Sequence, residues 1–197
     1  MDAWSRAAPV AAIVVLTGFM TGCTLAVRPA ISYQVTAQLQ IRPDGTAGAC
    51  YVYALPYPPV ECGAVPLTNV DRSTLPIQQS LQDGSIWTSP MQVTGVWTGS
   101  ALAVTSTRPG GNVTDPPQAH ASCPSVADPP PPSFLANQQR LNADASQLAD
   151  RGVWMIENGW DGCDLEVVLA VADADMIAYL KSNYHAGWVG GWFQPVG

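Results

Sequence analysis

The segment ISYQVTAQLQI, residues 31–41, decides how the first half of the chain folds. Its apolar side chains occupy every second position, and serine, threonine or glutamine fills the positions between them. This two-residue period predicts a strand with one buried face and one solvated face. The sequence PDGT at 43–46 is a hairpin turn signal, so AGACYVYAL at 47–55 is the predicted return strand.

Three further strands complete the first predicted domain, which spans 31–107. A short strand covers about 65–70, and the stretch 84–106 predicts a second hairpin that turns at TGS, residues 98–100. Pro90 lacks an amide hydrogen, which predicts a sheet edge or a bulge at its position. Five strands with short antiparallel connections predict a small barrel whose order resembles the OB-fold, and a five-stranded sandwich is the alternative.

The composition changes after this domain. Residues 108–133 are rich in Gly, Pro, Ser and Ala, and residues 129–132 are four consecutive prolines. Such a composition predicts a linker that ends in a stiff polyproline II segment. The chain is therefore predicted to continue as a separate domain over 134–197.

This second domain has the signals of helices and strands in alternation. Ser133 is the predicted cap of a helix over 134–150, and Asp173 is the predicted cap of a second helix that ends at His185. Between the helices, VWMIEN and CDLEVVLAV predict an antiparallel hairpin, and WVGGWF at 188–193 predicts a last strand. The predicted order is α-β-β-α-β with a parallel β-α-β unit, so the fold class of the whole chain is α+β.

A short apolar run near the N-terminus predicts the compartment. Residues 9–20 follow Arg6 and are too few for a membrane-spanning helix, which needs roughly 18 or more apolar residues. Their position is typical of the apolar region of a secretory signal. The run ends at Thr-Gly-Cys, residues 21–23, which resembles the lipobox of bacterial lipoproteins, although Met20 stands where leucine is usual.

The lipobox resemblance implies a processing scheme. In that family the cysteine is acylated and the chain is cut just before it, which implies a signal peptide over 1–22, lipidation of Cys23 and a tether over 23–30. The protein would then be lipid-anchored at the extracytoplasmic face of the cell membrane. An ordinary cleaved signal with an incidental cysteine is the alternative.

Charge and composition narrow the class of partner. The formal net charge is −7, and the single lysine is Lys181. An acidic chain is repelled by phosphate backbones, so nucleic acid is not a predicted partner. The bias towards Ala, Gly, Pro, Thr and Val is typical of a high-GC genome, such as that of an actinobacterium.

Four cysteines remain beside Cys23, and an oxidising compartment favours two disulfides with three possible pairings. Cys50 and Cys62 are close in sequence and are the first choice, which leaves Cys123 with Cys163. A metal site is the alternative, but there is no Cys-x-x-Cys motif, and His120 and His185 stand in unrelated contexts. No metal or cofactor is predicted.

No catalytic residue is predicted either. A serine or cysteine nucleophile needs a nearby base, usually histidine. His120 lies in the proline-rich linker and His185 follows a helix end, where an imidazole interacts favourably with the last carbonyls. The chain also lacks the common hydrolase, metalloprotease and phosphate-loop motifs.

The predicted binding residues belong to the second domain. Glu157, Asp161, Asp164 and Glu166 crowd one hairpin, where a hard cation finds oxygen ligands, although a solvated acidic turn is the usual fate of such residues. Trp160, in the hairpin tip, is the predicted exposed aromatic contact. Four other tryptophans are predicted to fill cores: Trp87, Trp97, Trp154 and Trp188. The predicted binding set is therefore Trp160, Glu157, Asp161 and Asp164.

Two local motifs carry a resemblance to a known family. The first is Pro-Pro-x-x-Cys-Gly, PPVECG at 58–63, which follows Cys50 in the sequence. The second is a Val-x-Gly-x-Trp-x-Gly hairpin formed by Val93, Gly95, Trp97 and Gly99. The segment is similar to an uncharacterised family of actinobacterial secreted proteins and lipoproteins. The resemblance implies an exported protein of this fold and lends no functional site.

Two functions follow as expectations. The first is a non-catalytic lipoprotein, exposed at the cell envelope, that binds a protein or a cell-wall component. The second is an envelope hydrolase that uses the carboxylates between Glu157 and Glu166. The missing base and nucleophile pairings favour the first.

Overall fold

The computed structural model of the chain describes residues 30–53, 62–118, 129–160 and 162–197. The first part forms β1 (Ser32–Ala37), β2 (Leu39–Ile41), β3 (Ala47–Tyr53), β4 (Cys62–Thr68), β5 (Ile77–Ser80), β6 (Ile86–Thr88), β7 (Met91–Trp97) and β8 (Leu102–Pro109). The second part forms α1 (Pro132–Ala143), α2 (Ala145–Asp150), β9 (Met155–Trp160), β10 (Leu165–Leu169), α3 (Ala174–Tyr184), β11 (Ala186–Gly191) and β12 (Gln194–Pro195). No helix in these ranges has the length and hydrophobicity to cross a membrane.

The predicted strand over 31–41 is divided in two at Gln38. Its first half, β1, pairs with β7, whereas its second half, β2, pairs with β3 and β6. The Gln38 carbonyl accepts a hydrogen bond from the Cys50 amide at 3.0 Å. The segment therefore changes its pairing partners at Gln38. Its alternating apolar residues on both sides of the break line the same core.

The predicted closed five-stranded barrel is wrong. The first part of the chain belongs to a nine-stranded mixed sheet with the order β12-β1-β7-β8-β4-β3-β2-β6-β5, and this sheet is not closed into a barrel. Strands β5 and β12 add to its two ends, and β4 and β8 pair in parallel rather than antiparallel. The sequence did not predict β5, because its four residues IQQS are all exposed and have no buried face.

One core lies against this large sheet. It takes buried side chains from β1, β2, β4, β7 and β8, among them Val35, Leu39, Val65, Val93 and Leu102. Trp192 and Phe193, near the end of the chain, are among its most buried members. Their rings stack on each other with centroids 5.1 Å apart. The C-terminal residues therefore complete the core of the N-terminal sheet, although a linker was predicted to separate the two parts.

The predicted disulfide between Cys50 and Cys62 is confirmed, with its two Cα atoms 5.5 Å apart. Both cysteines are buried beside Trp87 in a small separate cluster, as predicted for this tryptophan. Cys163 is also disulfide-bonded, and its predicted partner Cys123 lies outside the described residues. The bond between β3 and β4 covalently joins two neighbouring strands of the large sheet.

The second part of the chain matches its prediction more closely. Its three-stranded sheet has the order β11-β10-β9, with β9 antiparallel and β11 parallel to β10, so the predicted β-α-β unit is confirmed. The Asp173 side chain accepts a hydrogen bond from the Met176 amide at 2.8 Å and caps α3, as predicted. His185 ends α3 in the left-handed conformation, with a φ of 54°.

The start of α1 differs from its prediction. Its N-cap is Pro131, which makes no side-chain hydrogen bond, and Pro132 is the first helical residue, so Ser133 lies inside the first turn. Proline suits this position because its fixed φ is helical and its missing amide hydrogen would have no partner there. The predicted helix over 134–150 is also divided, since α1 ends at Ala143 and α2 begins at Ala145.

Candidate binding site

The three-stranded sheet has one face covered by helices. Leu165, Val167 and Leu169 of β10 point to that side and form a core with buried residues of the helices, among them Phe134, Leu141, Leu148, Leu180 and Tyr184. The buried Tyr184 hydroxyl donates a hydrogen bond to Asp144 Oδ2 at 2.9 Å. Burial of the ring, together with this hydrogen bond, raises the pKa of Tyr184 well above its usual range. This side of the sheet is therefore occupied.

The opposite face of the sheet carries two rows of residues that the strand register places side by side. In the first row, Glu166 of β10 is paired with Gly159 of β9 and with Trp188 of β11. In the second row, Val168 of β10 is paired with Glu157 and with Gly190. Paired residues project to the same side of a sheet. We call these six residues the Trp188 face: Glu157, Gly159, Glu166, Val168, Trp188 and Gly190. Val168 is buried, and the other five keep part or all of their surface exposed.

The Trp188 side chain lies directly over Gly190. A Cβ atom added at Gly190 would be 2.1 Å from Cη2 and 2.6 Å from Cζ2 of the indole, so no larger residue fits beneath the ring in this position. Trp188 is only partly buried and belongs to neither of the two large core clusters. It was predicted to be a core residue, but its six-membered ring rests on the open side of the sheet.

Trp160 lies on the side of the sheet that the helices cover. It was predicted to be an exposed contact, but it is partly buried and packs against the helix-covered core. Its ring centroid is 4.8 Å from that of Phe134 of α1, with the two ring planes tilted by 57°. Trp160 and Trp188 are on opposite sides of the same sheet, and both are partly buried.

The two glutamates on the Trp188 face have different surroundings. Glu157 is exposed, and its charge adds to the effect of burial in raising the pKa of Tyr51, a residue of β3. The Tyr51 ring makes an edge-to-face contact with Trp192, with centroids 5.9 Å apart, so the large sheet borders this face. Glu166 is partly buried and is in register with Trp188.

The other acidic residues of the predicted site lie beyond these rows. Asp164 is exposed just before β10, and a Cβ atom at Gly187 would be 2.3 Å from its Cβ, so its side chain lies against the start of β11. Asp161 lies outside the described residues. The structure therefore brings Glu157 and Glu166 onto one face and leaves Asp164 at its edge.

No positively charged residue belongs to the three strands, whose sequences are MIENGW, LEVVL and AGWVGG. In the second part of the chain, the cations lie on or next to the helices. The Arg140 guanidinium lies over the Tyr184 ring, 5.1 Å from its centroid, and Arg151 Nη1 donates to the Tyr179 hydroxyl at 3.4 Å. Lys181 is exposed on α3. The Trp188 face therefore combines an aromatic ring with negative charge.

A separate cavity of about 480 Å³ lies where the two parts of the chain meet. The turn at Thr98, Gly99 and Ser100 forms one wall, and residues 149–152 form the other. The Trp97 indole closes this junction by donating a hydrogen bond to the Gly152 carbonyl at 3.3 Å. The cavity includes none of the residues of the Trp188 face. Within the described residues, no group of three or more His, Cys, Asp and Glu side chains is placed to hold a metal ion.

Comparisons with protein-family models, with curated proteins and with solved structures found no match to this chain. The site is therefore defined by its own geometry. Sequence reasoning found Glu157 and Glu166 but missed Trp188 and its glycine partner. A local signal was present, because Trp188 and Gly190 are two residues apart in a predicted strand and therefore share a face.

Proposed function

We propose that this protein is a non-catalytic lipoprotein of the cell envelope that binds a protein or cell-wall component through the Trp188 face. The observation that carries the proposal is the partly exposed Trp188 ring lying on Gly190, with Glu157 and Glu166 on the same side of the sheet. Tryptophan combines a large apolar surface with a polar N–H group and is enriched in binding hot spots. A site built on strands is held more precisely than one built on loops.

The proposed location depends on the N-terminal sequence. The apolar run over 9–20 and the Thr-Gly-Cys site at 21–23 support lipidation of Cys23. The eight residues 24–31 between Cys23 and β1, fully extended, reach at most about 29 Å, so an anchored protein holds β1 close to the membrane. The disulfide-bonded state of Cys50, Cys62 and Cys163 supports an exported protein, since disulfides persist in oxidising compartments.

Substitution of Cys23 tests the location. We expect the wild-type protein in the membrane fraction, and Cys23→Ser either released from it or retained at the size of the unprocessed precursor. Thr24→Ser, a conservative change at the next position, is the control and should behave as wild type. If Cys23→Ser fractionates and migrates as wild type does, the protein is not anchored through this residue.

A hydrolase is the second candidate, and one observation favours it. Glu157 and Glu166 occupy diagonal positions on two antiparallel strands, where the two residues are roughly 7–8 Å apart. Inverting glycosidases use two carboxyl groups about 6.5–9.5 Å apart. Binding is favoured because these glutamates lie on an open sheet surface, whereas hydrolases commonly enclose their substrates and exclude water. Release of soluble products from purified cell wall by the wild type, lost in Glu157→Gln and Glu166→Gln, would establish the hydrolase instead.

A further inference from the structure

The Trp188 face has the chemistry of a site for a positively charged side chain. The indole rests on Gly190 and keeps part of its surface exposed. An ammonium or guanidinium group within about 6 Å of an aromatic centroid is attracted by the negative face of the ring, most strongly for tryptophan. Because the strand supports the ring from below, a ligand meets it from the open side of the sheet.

The glutamates add charge at the positions where a cation over Trp188 would need it. Glu166 is directly in register with Trp188, and Glu157 is one residue pair further along the sheet. Hydrogen bonds between guanidinium or ammonium groups and carboxylates are shorter and stronger than those between neutral groups. The exposed Glu157 has no ion pair with any cation in the described parts of the chain and is available to a ligand.

The sheet also leaves a route to these groups. A Cβ atom added at Gly159, the cross-strand partner of Glu166, would have no atom within 4 Å. Strand β9 is an end strand of its sheet, so Gly159 lies at the border of the face. A long side chain entering over Gly159 passes Glu166 before it reaches Trp188.

We infer that the Trp188 face binds an arginine or lysine side chain presented by a basic segment of a partner protein. This inference names the partner chemistry of the proposed function. A positively charged segment is chosen as the partner because its charge complements that of the protein. The three strands contain two glutamates and no cation, and the whole chain has a net charge of −7. A neutral sugar would gain stacking on the ring but would leave the exposed Glu157 carboxylate opposed only by hydroxyl groups.

The test uses the full-length protein purified in detergent and a Gly-Ser peptide that carries spaced arginines. The matched probe is the same peptide with citrulline, a neutral isostere, at each arginine. We expect the arginine peptide to bind, and the citrulline peptide to bind at least about tenfold more weakly, because both the cation–π and the charge-assisted contacts are lost. Calorimetry and Trp fluorescence give the dissociation constants.

Three variants locate the binding. Trp188→Ala should weaken the arginine peptide by about tenfold, since a partly desolvated cation–π contact contributes 1–2 kcal/mol. Glu157→Gln, at an exposed position that leaves the core unchanged, should weaken binding roughly three- to tenfold and reduce its salt dependence. Asp150→Asn removes the same charge at an exposed position of α2, on the helix-covered side of the sheet, and should leave the affinity within about twofold.

Three results would overturn the inference. The first is equal affinity for the arginine and citrulline peptides. The second is binding of the arginine peptide that is unchanged in both Trp188→Ala and Glu157→Gln. The third is binding of a neutral cell-wall disaccharide that depends on Trp188 but not on Glu157, which would make the partner a glycan. None of these results depends on anchoring, so failure here is distinct from failure of the Cys23→Ser experiment.

Discussion

Position 95 in β7 has room for a hydrogen atom and nothing larger. A Cβ atom at Gly95 would be 2.4 Å from the Ala103 carbonyl oxygen and 2.9 Å from the Ala103 carbonyl carbon on the neighbouring strand. The pairing of β7 with β8 also shifts its register between Thr94 and Gly95. These obstructing atoms belong to the backbone of a paired strand, so they cannot move aside as the end of a flexible side chain would.

Gly95→Ala should therefore destabilise the protein by about 1–3 kcal/mol, the usual cost of forcing an extra methyl group into a packed site. Gly111→Ala is the matched control, because a Cβ atom there would have nothing within 4 Å. Urea unfolding followed by Trp fluorescence gives both free energies of unfolding. Equal values for the two variants would show that β8 can yield at Ala103, which would contradict this account.

Single residues also show where sequence reasoning reached its limit. The spacing of Gly95 and Trp97 was recognisable as a motif, but the reason for the glycine is a cross-strand contact that no local pattern contains. The tryptophans show the same limit. Trp87 was correctly predicted to be buried. Trp160, which was predicted to be exposed, packs against Phe134, and Trp188, which was predicted to be a core residue, belongs to neither large core cluster. Alternation along a strand predicts which residues share a face, but the neighbouring elements decide which face is covered.

At the scale of elements, α3 depends on a local signal at each end. The Asp173 carboxylate accepts the Met176 amide at its start, and the left-handed His185 ends it. Its buried residues, Leu180 and Tyr184, pack towards α1 and the three-stranded sheet. This helix links the parallel strands β10 and β11, which carry four of the six residues of the Trp188 face.

Asp173→Ala should lower the free energy of unfolding by about 1 kcal/mol, because it leaves the Met176 amide without its capping acceptor. Ser182→Ala, an exposed change within the same helix, should alter it by no more than about 0.5 kcal/mol. Thermal unfolding followed by far-UV circular dichroism compares the two. A loss in Ser182→Ala as large as that in Asp173→Ala would mean that the cap is not the source of the stability.

The elements that were predicted well carry their own local signals. The hairpin of β9 and β10, the capped α3 and the parallel β11 follow from alternation, capping residues and connection length. The large sheet was predicted less well, since its strand β5 is wholly exposed and its strand β12 has only two residues. Neither strand has a hydrophobic pattern. Each is a strand because it pairs with a neighbour in the sheet, β5 with β6 and β12 with β1.

At the scale of the whole molecule, the two parts of the chain are not independent. Trp192 has no exposed surface and Phe193 is 1% exposed, and both lie in the core of the large sheet. The Trp192 indole also donates a hydrogen bond to the Thr114 carbonyl at 2.7 Å. The proline-rich linker predicted two separable domains. The composition of a linker does not predict whether the residues after it pack against the residues before it, as Trp192 and Phe193 do here.

A chain that ends at Arg108 should therefore fail to fold cooperatively, because it lacks Trp192 and Phe193 and loses β12 from its sheet. A chain that ends at Pro195 retains these residues and should unfold with a midpoint close to that of the complete protein. Urea unfolding of each, followed by circular dichroism, distinguishes them. Cooperative unfolding of the Arg108 truncation at an unchanged midpoint would show that the first part is an independent domain.

The pairing of β12 with β1 has a mechanical consequence. The Val196 amide donates a hydrogen bond to the Ser32 carbonyl at 2.8 Å, so the end of the last strand lies beside the start of the first. A pull that separates the N-terminal end from the C-terminal end acts across this antiparallel pair and opens its hydrogen bonds one after another. Sequential opening needs less force than shearing several bonds together. Under tension the chain would release β12 first and withdraw Phe193 and Trp192 next, so that the core opens while most of the sheet is still paired.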